Sequence, residues 1–198
     1  MKLSILIPTI PERERLFNQL KSFLESQALN YKNIVEIISL RNSKEIPIGE
    51  TRNKLYGMAN GEYSWMIDDD DWVHGNAIKI ILDSLNNNPD CIGFKELCVF
   101  IGNRIKTSNI SIKYKKWDNN FDDFDYVRTP FFINPIKTEL CLKTKVKEAW
   151  FGEDEIFAKD IYPLLKKENY ISEIIYIYRP HLQHEQDHKR REFLKEKL

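Results

Sequence analysis

The amino-acid sequence predicts one α/β domain, in which helices flank a mixed, mostly parallel sheet that carries a small antiparallel hairpin region. Two apolar runs that suit buried strands, Leu3–Pro8 and Ile34–Leu40, enclose a helical pattern near the start of the chain. Within Cys91–Lys115 the apolar runs are shorter and the turn Gly102-Asn103 separates them, as in an antiparallel hairpin. A strand–helix–strand opening of this kind is typical of a doubly wound α/β domain.

The helices are predicted from apolar residues that recur at helical spacing. In the first helix Leu16, Leu20, Phe23 and Leu24 fall on one stripe, and Pro11 stands where a first-turn proline belongs. The other predicted elements are a helix over Thr51–Ala59, a strand from Tyr63, a helix through Ile78 and Leu85, a helix that opens at Gly152 and is kinked or ended by Pro163, and a strand over Ile171–Tyr178.

Three segments show no clear strand or core-helix pattern. Trp117–Tyr126 mixes aspartates, asparagines and aromatics without a period and is predicted to be a surface loop. Thr129–Pro135 is apolar but broken by prolines, so we expect it to line a pocket. The charged tail Gln186–Leu198 is predicted to be a solvated helix, and a contact with the inner face of a membrane is the less favoured alternative.

Composition bounds the class of protein. A chain of 198 residues with no repeat or linker favours one domain over residues 1–198. Thirty basic residues balance thirty acidic ones, so there is no global basic field for non-specific nucleic-acid binding. Cys91, Cys98 and Cys141 lack metal-ligand or disulfide spacing and are expected to be buried and reduced. No signal-peptide or membrane-spanning run is found, so we expect a cytoplasmic protein.

The most informative stretch is Tyr63–Trp72, where a mostly apolar strand runs into four consecutive aspartates, Asp68–Asp71. Carboxylates this close repel one another, and a bound divalent cation commonly offsets that repulsion. On an extended segment Asp68 and Asp70 point the same way, so both can face one ligand. Their hard oxygen ligands suit Mg²⁺ or Mn²⁺, which often also bind substrate phosphates.

Three alternative classes of site fit the acidic stretch less well. A calcium loop counted from Asp68 would need glycine and glutamate where Val73 and Lys79 stand. No GxGxxG follows the first strand and no GxxxxGK[ST] occurs, which disfavours dinucleotide-binding and P-loop proteins. The spacing of Asp69 and Asp71 is that of haloacid-dehalogenase-like phosphatases, but in those enzymes the aspartate pair normally ends the first strand.

Several short motifs, taken in order, resemble one enzyme family. They are Ser4–Thr9, Gly49–Asn53, Ala59–Tyr63, Ile67–Asp71 and Gly152–Asp154. Together they look like family 2 glycosyltransferases, which have the GT-A fold, and the resemblance spans nearly the whole chain. It implies a metal-dependent, inverting transfer from a nucleoside-diphosphate sugar to an acceptor hydroxyl, with Mn²⁺ or Mg²⁺ as cofactor and a DXD-type metal motif.

The resemblance also implies roles for individual residues. The donor-binding candidates are Pro8, Thr9, Arg13, Arg41, Arg52, Asp68, Asp69 and Arg179. The metal-ligand candidates are Asp70 as principal ligand, with Asp68, His181 and His184. The catalytic candidates are Asp154, as the base that deprotonates the acceptor, and its neighbour Glu153; the acceptor-site candidates are Phe132 and Asn134. Asp154 opens a predicted helix, where the helix dipole favours the ionised form that a base requires.

This assignment leaves several questions open. Residues 1–90 would bind the nucleotide sugar and residues 91–185 the acceptor, which is a glycan, a lipid-linked glycan or another hydroxyl compound. Arg41-Asn42 stands where the family often has an aspartate that reads uracil, so the nucleobase is undetermined. Two rivals remain: a haloacid-dehalogenase-like phosphatase with Asp69 as nucleophile, and a nucleotide-sugar-binding module without turnover.

Overall fold

The computed structural model describes residues 1–100, 104–148 and 152–180. Its strands are β1 (Leu3–Thr9), β2 (Val35–Arg41), β3 (Tyr63–Met66), β4 (Trp72–Val73), β5 (Cys91–Phe100), β6 (Arg104–Ile110), β7 (Asp118–Phe121), β8 (Phe124–Arg128), β9 (Ile136–Lys137) and β10 (Glu168–Tyr178). Its α-helices are α1 (Glu14–Ala28), α2 (Ile48–Met58), α3 (Ala77–Ser84), α4 (Thr138–Thr144) and α5 (Glu153–Ile161). Short 3-10 turns cover Pro11–Arg13, Leu29–Tyr31 and Tyr162–Leu164.

All these strands belong to one mixed sheet. Its main path runs β2-β1-β3-β9-β5-β6-β8-β7, and β10 lies against β5 and β4. β1 is parallel to both β2 and β3, and β10 is parallel to β5, whereas β5 and β6 form the antiparallel hairpin. The predicted α/β class, with a mixed and mostly parallel sheet flanked by helices, is confirmed.

The core forms where the apolar runs of the sheet meet the helices. All seven residues of β1 are buried, as expected for a strand covered on both faces. In α1 the buried side chains are Phe17, Leu20, Leu24 and Ala28, which follow the helical period of the predicted stripe. The burial of this stripe holds α1 against the sheet and fixes the start of the helix near the end of β1.

The segment over 129–135 is tied to the middle of the sheet. The buried Trp65 indole donates a hydrogen bond to the carbonyl of Ile133 (2.7 Å), and the Met66 amide donates to the carbonyl of Phe132 (3.1 Å). Phe131 and Phe132 are also buried. The apolar segment therefore packs beside the end of β3, which brings it next to the acidic stretch.

The prediction of a surface loop over Trp117–Tyr126 is wrong. Residues 117–126 are not a surface loop, because β7 and β8 pair as an antiparallel hairpin. Asp122 and Asp123 form its tight turn with φ of 57° and 62°, a conformation that aspartate tolerates better than most residues. The strands are short and flanked by turn residues, so the sequence shows too little apolar–polar alternation to predict them. The short elements β4, β9 and α4 were not predicted either.

The three cysteines are buried and unpaired, as predicted. Within the three described ranges, every helix is too short or too polar to cross a lipid bilayer. The tail Gln186–Leu198 lies outside the described residues.

Candidate functional site

A cavity of about 550 Å³ opens where β1 and β3 end. Ligands of open α/β sheets commonly bind outside the carboxyl ends of the strands. The predicted site residues that line this cavity are Pro8, Thr9, Arg13, Arg52, Asp68, Asp69, Phe132, Glu153 and Asp154. The fold therefore brings together residues from motifs that are almost 150 positions apart in the chain.

The four aspartates form a turn and not an extension of the strand. β3 ends at Met66, and the Asp71 amide donates to the carbonyl of Asp68 (3.0 Å). The prediction that Asp68 and Asp70 point the same way is therefore wrong, since alternation requires an extended backbone. Asp68 faces Arg52, whereas Asp69 and Asp70 both face Arg13.

Asp71 holds this turn against β10. Its carboxylate accepts hydrogen bonds from the Tyr176 hydroxyl (2.8 Å) and from the Arg179 amide (2.8 Å). The Tyr176 hydroxyl in turn accepts the amide hydrogen of Asp68 (3.2 Å). Burial raises the pKa of Asp71 well above its usual value, and the neighbouring Asp70 and Asp68 carboxylates add to that rise. Asp71, which had no role from sequence, positions the acidic turn.

Arg13 joins two buried carboxylates. Its Nη1 lies 3.0 Å from Asp69 Oδ1 and 2.9 Å from Asp70 Oδ2. Burial raises the pKa of Asp70 to about 6, and the Arg13 guanidinium opposes the rise. Burial likewise raises the pKa of Asp69 against the influence of Arg13. A cation from the turn before α1 thus partly neutralises the acidic turn.

Arg52 is the second buried cation of the site. Its guanidinium forms two close contacts with the Asp68 carboxylate and lies 3.7 Å above the Phe132 ring centroid. Glu153 Oε1 is 3.8 Å from Arg52 Nη2, and burial raises the pKa of Glu153 while Arg52 opposes the rise. Arg52 therefore connects the acidic turn to the start of α5.

Asp154 lies in the first turn of α5 on the cavity wall. Gly152 precedes this helix with φ of 75°, a left-handed conformation that glycine adopts without strain. The Asp154 carboxylate accepts the Glu155 amide hydrogen (2.8 Å), a local bond that leaves the second carboxylate oxygen for another partner. Its position suits a proton acceptor that faces the cavity.

Two predicted site residues do not line the cavity. Arg41 pairs with Glu14 at the surface (3.1 Å). Asn134 is fully buried, accepts the Phe131 amide hydrogen and donates to the carbonyl of Ile92, so both ends of its amide are used inside the core. An acceptor contact by Asn134 is therefore ruled out in this arrangement.

Two further donor-site or metal-site candidates lie behind the cavity wall. Arg179 donates to the carbonyls of Asp70 (2.8 Å) and Asp71 (2.9 Å), so its guanidinium braces the turn from behind. Asp70 is fully buried and does not reach the cavity surface. His181 and His184 lie outside the described residues.

The residues of the turn fit a divalent cation that completes its coordination with substrate. Among the described residues, Asp69 Oδ2 and Asp70 Oδ1 find no hydrogen-bond partner although both are buried. Within residues 1–100, 104–148 and 152–180, no three His, Cys, Asp or Glu side chains are grouped to hold a metal by themselves. Mg²⁺ often takes only one or two carboxylates plus substrate phosphates, which this set can supply. Asp68 and Asp69 line the cavity and are the candidates nearest to substrate, and Asp70, the predicted principal ligand, lies behind them.

Strands β5, β6, β7, β8 and β10 also supply residues to the cavity wall, together with the segments beside β7 and β8, and the sequence did not single these residues out. They are Glu96, Cys98, Ser108, Trp117, Asn119, Tyr126, Arg128, Tyr176 and Tyr178. Alternation along β5 and β10 was the available signal: Glu96 and Cys98, like Tyr176 and Tyr178, are two apart and so share one face of a strand. This pattern does not predict the order of the strands in the sheet.

Solved structures that share the fold of this chain include a nucleotide-sugar complex, a mannosyltransferase and a galactosyltransferase domain. Staphylococcus aureus TarS 1-349 in complex with UDP-GlcNAc matches 90% of this chain with a TM-score of 0.64 and 17% identity. The Pyrobaculum calidifontis mannosyltransferase PcManGT, in complex with GDP-Man and Mn²⁺, matches 89% with a TM-score of 0.52 and 11% identity. The catalytic domain of Drosophila β1,4-galactosyltransferase 7 matches 91% with a TM-score of 0.53 and 14% identity.

The fold is the GT-A-like fold of these glycosyltransferases. The chain spans only part of each neighbour: 37% of a longer TarS chain, 58% of TarS 1-349 and 56% of PcManGT. No protein-family model matches the sequence, and neither does any curated protein. The GT-A-like fold is thus established by structure, and the chemistry has to be argued from the site.

Proposed function

We propose that this protein is an inverting glycosyltransferase that moves a sugar from a nucleoside-diphosphate sugar to an acceptor hydroxyl. The observation that carries the proposal is the gathering of Pro8, Thr9, Arg13, Arg52, Asp68, Asp69 and Asp154 around one cavity at the strand ends. The donor complexes of TarS 1-349 and PcManGT, which share the fold, support a nucleotide sugar as the ligand class.

The two sides of the acidic turn suit the two parts of such a donor. Pro8 and Thr9, at the end of β1, offer a wall for the base, and Asp68 is the least buried of the four carboxylates and faces the cavity for the ribose. Arg52 and Arg13 bring positive charge to the same region, where a diphosphate would lie. Residues 1–90 would then form the donor half of the domain and residues 91–185 the acceptor half.

Asp154 and Glu153 can have different roles in the transfer step. In a single displacement the acceptor oxygen attacks the anomeric carbon, the bond from that carbon to the diphosphate oxygen breaks, and the sugar configuration inverts. Asp154 takes the proton of the acceptor hydroxyl, a general-base role for which its position on the cavity wall is suited. Glu153, held beside Arg52, would orient the start of α5.

A divalent cation, when bound, would stabilise the negative charge that develops on the departing diphosphate. The carboxylates available for it are Asp68, Asp69 and Asp70, of which Asp69 and Asp70 each keep a buried oxygen without a hydrogen-bond partner among the described residues. The Mn²⁺ in the PcManGT complex supports a cation of this kind. Nucleotide release would then depend on the cation and on both buried arginines.

The phosphatase alternative is weaker on geometric grounds. A nucleophilic Asp69 would have to attack phosphorus with a carboxylate that is almost fully buried and 3.0 Å from Arg13. The second alternative is a module that binds nucleotide sugars without turnover. It would use the same donor contacts as the transferase, so only a test for transfer distinguishes the two.

The test is a thermal-shift screen of UDP-, GDP-, ADP-, CMP- and dTDP-sugars, each with and without Mn²⁺, followed by measurement of nucleotide release. A ligand that binds only the folded state raises the free energy of unfolding, by about 2.7 kcal/mol when its concentration is 100 times Kd. The melting temperature rises as a result. We expect one donor to stabilise the protein, more strongly with Mn²⁺, and to be turned over. No donor binding, with release of phosphate from phosphoesters, would overturn the proposal; binding without turnover across acceptor classes would favour the non-catalytic module.

A further inference from the structure

A lateral row of side chains crosses five neighbouring strands on the cavity side of the sheet. Its members, in spatial order, are Tyr176, Glu96, Ser108, Tyr126 and Asn119, and each is paired in register with the next. All five line the cavity. Strands lie about 4.8 Å apart, so four intervals extend the row over about 19 Å.

One end of the row touches the acidic turn. The Tyr176 hydroxyl bonds both Asp71 and the amide of Asp68, so the row begins where the donor is proposed to bind. Glu96 follows Tyr176, and its carboxyl is close enough to Asp154 for that carboxylate to contribute to its raised pKa. The row therefore leads away from the reacting centre into the half of the domain that the donor leaves open.

The middle of the row contains buried polar groups that face the cavity. Glu96 is 7% exposed and Ser108 is 1% exposed, yet both line the cavity wall. Ser108 is paired in register with Glu96, and hydrogen bonding from its hydroxyl opposes the rise in the pKa of the Glu96 carboxyl. Buried polar groups cost free energy unless they are hydrogen-bonded, so a Glu96–Ser108 pair in a cavity wall favours a polar ligand.

The far end of the row is aromatic and is held by hydrogen bonds from Arg128. The Arg128 guanidinium carbon lies 4.9 Å from the centroid of Trp117 and 4.8 Å from that of Tyr126. Its N–H groups donate to the carbonyls of Asp118 and Val127 and to the Asn119 side chain. Because these hydrogen bonds engage Arg128 within the hairpin, it is poorly placed to bind a phosphate on the ligand.

From these observations we propose that the row Tyr176–Glu96–Ser108–Tyr126–Asn119, with Trp117 beside it, binds a neutral carbohydrate as the acceptor. Hydroxyl, carboxyl and amide groups satisfy sugar hydroxyls, and aromatic rings pack against the apolar faces of sugar rings. Glu96 selects the acceptor by hydrogen-bonding one of its hydroxyls near Asp154. An anionic acceptor would gain little from the neighbouring Arg128, because its N–H groups are already engaged within the hairpin. The role of the glycan as acceptor rests on the proposed function, whereas the test of glycan binding does not depend on it.

The test is binding of the purified protein to an array of neutral, sialylated and phosphorylated oligosaccharides, with UDP–Mn²⁺, with GDP–Mn²⁺ and without nucleotide. We expect neutral glycans to bind, and Glu96→Gln and Ser108→Ala to weaken binding at least tenfold. Lys95→Gln is the matched control, because Lys95 is next to Glu96 on β5, is not part of the cavity wall and should leave binding within twofold. Melting temperatures of the three variants report whether each is folded.

The outcomes separate this inference from the proposed function. Neutral-glycan binding that requires Glu96 and Ser108 supports the row even when no nucleotide sugar binds, a result that would defeat the transferase proposal alone. Donor turnover with no neutral glycan bound, or with a lipid, nucleic-acid or peptide acceptor, overturns the carbohydrate assignment and leaves the transferase proposal intact. Equal binding by wild type and Glu96→Gln overturns the role of Glu96.

For a neutral glycoside that proves to be an acceptor, steady-state kinetics give a second readout. Glu96→Gln should raise the acceptor KM at least tenfold, whereas the Lys95→Gln control should leave the acceptor KM within twofold of wild type. A lower kcat with an unchanged acceptor KM would instead show that Glu96 supports the site without contacting the acceptor.

Discussion

Arg52 and Asp68 form a two-pronged ion pair at the end of β3, with Nη1 3.0 Å from Oδ1 and Nη2 3.2 Å from Oδ2. Arg52 is almost fully buried and comes from α2, so the pair joins a helix to the acidic turn. Planar contacts of this kind match guanidinium and carboxylate geometry. The pair fixes the position of Asp68, which is the least buried aspartate of the turn.

Replacing Arg52 by lysine should therefore destabilise the protein although the charge is kept. Lysine cannot make the paired contacts or stack flat on Phe132. Loss of one charge-assisted hydrogen bond costs about 1.5–3 kcal/mol, and we expect the free energy of unfolding in urea to fall by that amount. Lys54→Arg, at an exposed position of the same helix, is the control. An unchanged unfolding free energy for Arg52→Lys would mean that the pair contributes little.

Asp70→Asn should reduce the part of nucleotide binding that depends on Mn²⁺. Asp70 Oδ1 is a buried oxygen without a hydrogen-bond partner among the described residues and is a candidate to hold the cation. We expect at least a tenfold loss of nucleotide affinity with Mn²⁺, which is about 1.4 kcal/mol, and little change without it. Calorimetric titration checks this, with Asp83→Asn on the exposed face of α3 as control. The same Mn²⁺ effect in both variants would move the metal site elsewhere.

Asp154→Asn should keep donor binding and lose transfer. The amide has nearly the same shape as the carboxylate but cannot accept the acceptor's proton, and general-base catalysis contributes about 100- to 10,000-fold to a rate. Nucleotide affinity should stay within twofold while kcat falls by at least about a hundredfold. Glu155→Gln, which follows Asp154 on α5 and pairs with Lys159 at the surface, is the control. Full activity in Asp154→Asn would place the base on another residue.

Glu96 should make stability fall as pH rises. Burial raises the pKa of Glu96 from 4.5 to about 7, against the opposing influence of Ser108 and Arg128. The folded protein then holds this proton more tightly than the unfolded chain. The stability that the proton provides is therefore present below pH 4.5 and is lost as pH rises towards 7, by about 3 kcal/mol.

Urea unfolding at pH 5 and pH 8 checks this dependence. Glu96→Gln removes the titrating group, so the variant should lose less stability between the two pH values than wild type. The carboxyl of Asp70, whose pKa is raised to about 6, is present in both proteins and cancels in the comparison. Equal losses in wild type and variant would show that Glu96 is ionised in the folded state.

Two glycines of α2 should respond oppositely to alanine. A Cβ at Gly49 would overlap the backbone carbonyl of Lys147, whereas a Cβ at Gly57 would meet no atom within 4 Å. Gly49→Ala should destabilise the protein by about 1–3 kcal/mol, the range for overpacking. Gly57→Ala should stabilise it by about 0.5–1 kcal/mol through helix propensity. Melting curves of the pair check both signs, and equal effects would contradict the close approach at Gly49.

The N-terminal half was the more predictable part of the molecule. β1, β2 and the helix between them follow from apolar runs and one helical stripe, because each pattern is local and complete within a few residues. The acidic stretch could be located for the same reason, but its geometry could not be predicted. Alternating side-chain directions require an extended backbone, and the hydrogen bond from the Asp71 amide to the Asp68 carbonyl bends the backbone into a turn.

For Asn134 and Arg41, the type of residue led to a wrong prediction of a binding role. Asparagine in a proline-flanked segment and arginine after a strand both suit a binding site, but burial and partners decide their roles. Asn134 satisfies core backbone groups, and Arg41 pairs with Glu14 at the surface. Ile92 is 42 positions from Asn134 and Glu14 is 27 positions from Arg41, so neither of these contacts could be anticipated from the sequence.

The sequence by itself determined the α/β class, the order of the motifs and the presence of an acidic stretch at the end of a buried strand. Only the tertiary structure decided that Arg13 and Arg52 divide the acidic turn between them, and that Glu96 and Ser108 stand in one row with Tyr176. Alternation along a strand tells which face a side chain occupies. The neighbouring strand and its register depend on packing between distant segments, and these set the part of the cavity wall that β5, β6 and β10 form.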